Sequence, residues 1–169
     1  SKAAIRLGVT KMSANRCFDE IEYLNVDILG MKGKSRVITV PADIQKLWND
    51  VRVILRNPVI ARYELKEDIQ LGKKAGITAL CEYSLLSDNE YPTYAITKKE
   101  ITESGIRKMK QVHSGEEIGC VVLELGYFID FKNKKLEDPL SVTLSLTESE
   151  KQDERIGISI KRMLEEYVW

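Results

Sequence analysis

Lys11, Ser13, Asn15 and Arg16 are the residues whose types and spacing best suit work on a ligand, and that ligand is a nucleic acid. They fall in the first two turns of a predicted helix that follows Thr10 and runs to Leu24, TKMSANRCFDEIEYL. Thr10 suits the N-cap position, because its hydroxyl can accept a bond from an orphan amide at the helix start. Ala14, Phe18 and Ile21 stand at i, i+4 and i+7, with Cys17 and Leu24 beside them, and mark a stripe to be buried. The four polar residues lie off that stripe. The free amides and positive dipole end of a helix N-terminus suit a phosphate backbone, and polar side chains nearby reach base edges in a major groove. The expectation is a DNA-recognition helix ordered by Thr10.

Other chemistry-bearing groups are sparse. His113 is the only histidine, beside Ser114-Gly115 in a predicted turn, and reads as a surface residue. Asp130-Phe131-Lys132 follows a strong strand signal containing Glu124, the skeleton of a metal-dependent nuclease in which carboxylates hold Mg²⁺ and a lysine orients water. The spacing is short for that chemistry and no Pro-Asp precedes it, so a strand ending in a solvated turn is the simpler reading. Gly72 and Gly76 suggest a phosphate loop but lack its Gly-Lys-Ser/Thr ending. A third class is a ligand-sensing domain, with an apolar pocket around Tyr83, Tyr94 and Tyr127. Cys17, Cys81 and Cys120 are far apart with no C-x-x-C pair, which argues against zinc and disulfides and for a reduced cytoplasmic setting. A regulator rather than an enzyme is expected, with no metal and no cofactor.

The elements around the recognition helix strengthen its reading. Lys2 to Leu7 predicts a short helix, opened by Ser1 as N-cap and stopped at Gly8, with Val9 plugging the corner before Thr10. Helix, glycine-containing turn and capped second helix is helix-turn-helix grammar. Val26 to Leu29 and Arg36 to Val40 are β-prone runs, and Gly30 to Ser35 between them supplies the turn of a hairpin. Two helices followed by a basic hairpin resemble a winged-helix domain, with Lys32, Lys34 and Arg36 placed to meet a DNA backbone by charge. Such a domain begins with one more helix, so a helix missing upstream of Ser1 is expected.

With 169 residues and 43% apolar composition, the chain has room for two small domains with real cores. No run approaches the ~20 apolar residues of a membrane span, so no membrane partner is expected. Formal net charge is zero, yet residues 1–40 hold seven basic against four acidic side chains, a local +3. That surplus is modest, and useful affinity for double-stranded DNA is expected from a homodimer rather than a monomer.

Downstream, Asp43 caps a predicted helix with Ile44, Leu47, Trp48, Val51 and Leu55 on one face, stopping at Asn57-Pro58. Val59 to Leu65 predicts a strand, Ile77 to Leu86 a helix ended by Ser87-Asp88-Asn89, and Tyr94 to Thr97 a strand. Ile118 to Ile129 is the strongest strand signal. Asp138-Pro139 reads as a helix cap while Val142, Leu144 and Leu146 alternate as in a strand, and both readings stand. Glu148 to Glu154 opens a final helix with Ile156, Ile160, Met163, Leu164 and Tyr167 on one face. The fold class is therefore α+β: a partial winged helix-turn-helix over 1–40, a linker helix over 41–57, and an α/β oligomerisation or partner-binding domain over 58–169.

Residues 76–97, GITALCEYSLLSDNEYPTYAIT, join a small-residue turn, a helix and a proline to a Tyr-Ala-Ile-Thr strand. This stretch resembles the second domain of the abortive-infection type IV antitoxins, whose layout is also a winged helix followed by an α/β domain. Asp138-Pro139-Leu140-Ser141, and Asp153-Glu154-Arg155 in a segment ending at Trp169, are similar to related bacterial transcriptional regulators. The resemblance implies an autoregulated bacterial operon whose promoter repeats are bound, and a nucleotidyltransferase-like toxin as partner.

Overall fold

A computed structural model describes residues 2–87, 89–129 and 131–169, and the chain divides into two compact units, Ser1–Leu55 and Arg56–Trp169. The described residues form a mixed α+β structure with eight α-helices and two sheets. The predicted linker helix groups with the first unit.

In the first unit, α1 (Lys2–Leu7) ends at Gly8, and α2 (Lys11–Tyr23) starts on Thr10, whose side chain accepts from the Ser13 amide at 3.1 Å. Ser1 lies outside the described residues, so its predicted capping role has no structural counterpart here. Ala14 and Phe18 are buried and Ile21 half-buried, but Cys17 and Leu24 are exposed, so the stripe is narrower than expected. Val9 is also exposed and does not plug the corner. The turn is closed by backbone bonds instead, from Gly8 N to Ile5 O and from Val9 N to Ala4 O.

The hairpin is β1 (Leu29–Lys32) paired antiparallel with β2 (Ser35–Ile38), in register from Leu29 opposite Ile38 to Lys32 opposite Ser35. Gly30, Met31 and Lys32 are therefore strand residues, and the turn is only Gly33-Lys34. Gly33 has φ +62° at the first central position, which two-residue turns matched to strand twist require. Next, α3 (Ile44–Val51) is capped by Asp43, which accepts from the Lys46 amide at 2.8 Å. It buries Trp48 and stops four residues before the predicted Leu55.

The second unit is built on a four-stranded sheet. Its strands are β3 (Val59–Leu65), β4 (Lys73–Lys74), β5 (Thr93–Thr97) and β6 (Cys120–Leu125), in the order β3-β6-β5-β4. β6 runs antiparallel to β3 and parallel to β5, and every one of its residues is buried. Cys120 and Val122 pack with Leu65, Tyr94, Ile96, Ile101 and Ile106 on one face. Val121, Leu123 and Leu125 pack with Ala75 and Ala95 on the other. Two-sided burial explains why β6 reads as a continuous apolar run rather than an alternating one. At ~1.5–3 kcal/mol per buried aliphatic side chain, this strand is the unit's main source of cohesion.

Helices α4 (Gly76–Tyr83), α6 (Pro139–Ser145) and α8 (Glu154–Tyr167) pack on one another, while α5 (Lys98–Ser104) packs on β5 and β6. Asp138 caps α6 and settles that segment as a helix. The predicted last helix is two helices, α7 (Glu148–Gln152) and α8, because Asp153 breaks to extended backbone and caps the second. Ile106–Lys108 is a 3-10 turn. Gly72 is explained by packing: with φ +69°, a Cβ there would sit 2.3 Å from the Ala95 carbonyl oxygen.

Glu137 is buried in this unit at 1% exposure. Its Oε2 accepts from the Gly76 amide at 3.3 Å and the Ser145 hydroxyl at 3.5 Å, while Oε1 has no partner. Burial pushes its pKa up to about 8, against the Gly76 hydrogen bond and with a push from the Asp138 charge. The unfolded chain releases that proton near 4.5, so the folded state holds the extra proton between those values. This group's contribution to stability is then lost as pH rises from about 4.5 through about 8. Glu137→Gln should flatten that decline, and urea unfolding of both proteins across the window measures it.

Candidate nucleic-acid interface

The sequence-predicted contact residues all belong to the first unit. Lys11, Ser13, Asn15 and Arg16 are exposed on α2, and Lys32 and Lys34 are exposed on the hairpin. Among the described residues, Lys11, Arg16, Lys32 and Lys34 enter no ion pair. Thr10 works as predicted for a cap, and its hydroxyl also meets the Ser13 hydroxyl at 3.0 Å. Ser13 thus takes part in the cap through both its amide and its side chain.

Arg36 does something the sequence does not announce. Its guanidinium lies over the Phe18 ring, 5.3 Å from the centroid, and bonds Asp19 at 2.5 Å. It stands 3.6 Å from Glu22 and donates to the Asn15 carbonyl oxygen at 3.5 Å. Residues 15, 18, 19 and 22 are i, i+3, i+4 and i+7, one face of α2. A residue expected to meet a DNA backbone is therefore engaged within its own unit, tying the hairpin to that face. Cation–π stacking and paired carboxylates can hold a planar guanidinium in a way a lysine ammonium would not reproduce.

This contact divides the surface of α2. Asn15 is exposed, but it shares the face that Arg36 runs along. On the opposite side Met12 and Tyr23 stand 66% and 88% exposed, with Arg16 between them. Sequence reasoning overlooked both, because apolar and aromatic residues in an amphipathic helix are assigned to the core by default.

The alternative sites fare differently. Asp130, half of the nuclease pattern, lies outside the described residues. Glu124, the other half, is 2% exposed, accepting from the Tyr63 hydroxyl at 2.9 Å and Arg107 at 3.1 Å. Burial works to raise its carboxyl, but the bonds from Tyr63 and Arg107 outweigh it and hold the group below its ordinary value. Among the described residues no three His, Cys, Asp or Glu side chains converge as metal ligands. His113 is exposed.

The three tyrosines do not form a pocket. Tyr83 donates to the Glu137 carbonyl at 2.9 Å and meets the Tyr167 ring edge-on at 5.0 Å. Tyr94 sits in the sheet core near Asp68, and Tyr127 is exposed. A cleft of about 290 Å³ elsewhere in this unit has Ile77, Leu86, Tyr91, Arg155 and Ile156 in its wall and none of the three. Among the described residues no helix is long and apolar enough to cross a membrane.

Comparison with family models, with curated proteins and with solved structures finds no match for this chain.

The cap and the clamp are separable by experiment. Thr10→Ala should cost about 1 kcal/mol in urea unfolding, the usual worth of a hydroxyl N-cap. Arg36→Gln should speed hydrogen exchange of the hairpin amides by about fivefold, which is ~1 kcal/mol for a largely exposed ion-pair network. The α2 amides should be much less affected.

Proposed function

We propose that the first unit is a winged-helix-type module that binds duplex DNA, and that the protein is a sequence-specific transcriptional regulator. The observation that carries this reading is the set of four exposed cations, Lys11, Arg16, Lys32 and Lys34, left without counter-ions around a capped helix start and a short hairpin. Unpaired cations beside free helix amides are what a phosphate backbone demands. Arg36 supports the surface by holding the hairpin to α2. The second unit serves oligomerisation or partner binding, and an autoregulating antitoxin beside a nucleotidyltransferase-like toxin is the setting suggested by the resemblance of residues 76–97.

Each phosphate neutralised flattens or steepens the salt dependence by a fixed increment. Four contacts imply that log K for a duplex falls with log salt at a slope of about −3.6 per bound unit. Lys32→Ala and Lys34→Ala should each flatten that slope by about 0.9. Arg36→Gln should weaken binding with the slope unchanged. Fluorescence anisotropy on a labelled duplex over a salt series measures all three, and absence of duplex binding by the full chain sinks the proposal.

A further inference from the structure

We infer that α2 reads base edges through the strip Met12, Arg16 and Tyr23, and that its target is a duplex presenting guanine and thymine methyl groups in the major groove. This inference rests on the duplex-binding reading and specifies its partner. Arg36 is the reason for choosing this strip: it occupies the face of residues 15, 18, 19 and 22, while Ala14 and Phe18 are buried. Met12 and Arg16 are one turn apart, and Tyr23 follows Arg16 by seven residues, so the three share the remaining side.

Two features mark that side as more than a solvated face. A methionine and a tyrosine are held 66% and 88% exposed on a helix of 13 residues, against the tendency of such side chains to be covered. They flank an arginine without a counter-ion among the described residues, and Lys11, Lys32 and Lys34 add further unpaired positive charge in the same unit. An apolar strip with unpaired cations complements a major groove, which offers thymine methyls and guanine acceptors between two anionic backbones. A second protein surface offering enough carboxylates would have to leave the apolar strip unmatched.

The roles follow from side-chain chemistry. Arg16 presents parallel N–H donors that match guanine O6 and N7. Met12 has no donor, and its flexible thioether packs against a thymine methyl. Tyr23 lies eleven residues beyond Met12, about 16 Å along the axis, which is about five base-pair steps. At that distance its hydroxyl donates to a phosphate oxygen at the far edge of the site. Asn15, on the clamped face, is assigned no base contact.

The test selects duplexes from a randomised library on the full chain, then rebuilds the selected duplex with deoxyuridine for thymidine or 7-deazaguanine for guanine. Loss of the contacted methyl should weaken the unmodified protein about fourfold, the worth of one buried methylene. Met12→Ala should no longer distinguish the two duplexes. Likewise 7-deazaguanine should weaken binding about tenfold, and Arg16→Ala should remove that sensitivity. Tyr23→Phe should flatten neither base sensitivity while lowering affinity for every sequence. The exposed positions make all three variants neutral to folding, and unchanged melting temperatures check this. If the full chain retains a duplex but Met12→Ala and Arg16→Ala keep both sensitivities, this assignment fails while duplex binding stands. If no duplex is retained, both fail. If Met12→Ala or Tyr23→Ala dissociates an oligomer in sedimentation velocity, the strip is a self-association surface and the assignment is overturned.

Discussion

The contact between Arg36 and α2 is the interaction on which the first unit's surface depends. Taken pair by pair it is weak, since ion pairs between exposed side chains contribute ~0–1 kcal/mol. Its importance is geometric. A planar guanidinium stacked on Phe18, bonded to Asp19 and reaching the Asn15 carbonyl leaves β2 few orientations relative to the helix. A short hairpin with a two-residue turn has too little apolar surface to define that orientation by burial, because isolated two-stranded ribbons are marginal in water. Directional polar contacts supply what the core of this unit cannot.

The second unit solves the opposite problem, because its cohesion comes from a strand buried on both faces, and polar groups there must be accommodated. Glu124 and Glu137 show two solutions to placing a carboxyl in such an interior. Glu124 keeps its charge because Tyr63 and a half-exposed Arg107 meet it, so solvent-facing cation and buried anion share the cost of desolvation. Glu137 has one backbone amide and a distant hydroxyl, and it keeps its proton instead. Its main-chain carbonyl meanwhile takes the Tyr83 hydroxyl, whose own ionisation is pushed upward by burial and by the neighbouring acids. The segment carrying Glu137 and Asp138 is thus held to α4 by one residue and capped into α6 by the next.

Local signals were readable from the residues alone, and long-range ones were not. Thr10, Asp43 and Asp138 act as caps because capping involves neighbours within three positions. Val59 to Leu65 and the β6 run were equally plain, since β-branched and apolar clustering is itself the signal. The hairpin was displaced by about three residues because two glycines offered themselves as turn, and only Gly33 takes the positive φ. The segment after Asp138 carried both a cap and an alternating pattern, and the cap prevailed because α6 is buried on most of its circumference, erasing the helical period. The Arg36–Asp19 pair joins residues 17 apart, and Glu137 meets Gly76 across 61. No periodicity encodes contacts of that kind. The exposure of Met12 and Tyr23 belongs with them, because it depends on which faces of α2 other elements cover.

Charge placement along α2 ties these strands of reasoning together. The chain as a whole is neutral, and the first unit, with nine basic against six acidic residues, carries only +3. Along the helix, however, the signs are segregated: Lys11 and Arg16 occupy its first half, and Asp19, Glu20 and Glu22 its second. Carboxylates near a helix C-terminus oppose the dipole, an arrangement that costs a few tenths of a kcal/mol per group when exposed. Arg36 relieves this by placing a cation against Asp19 and Glu22, which screens the acidic half and leaves the basic half without an internal competitor. In the proposed duplex complex, the same arrangement directs phosphates toward the helix start, where backbone amides, the dipole and unpaired cations all act with one sign. A net charge of zero is then no obstacle to binding DNA, because the relevant field is that of half a helix and a hairpin tip rather than of the chain.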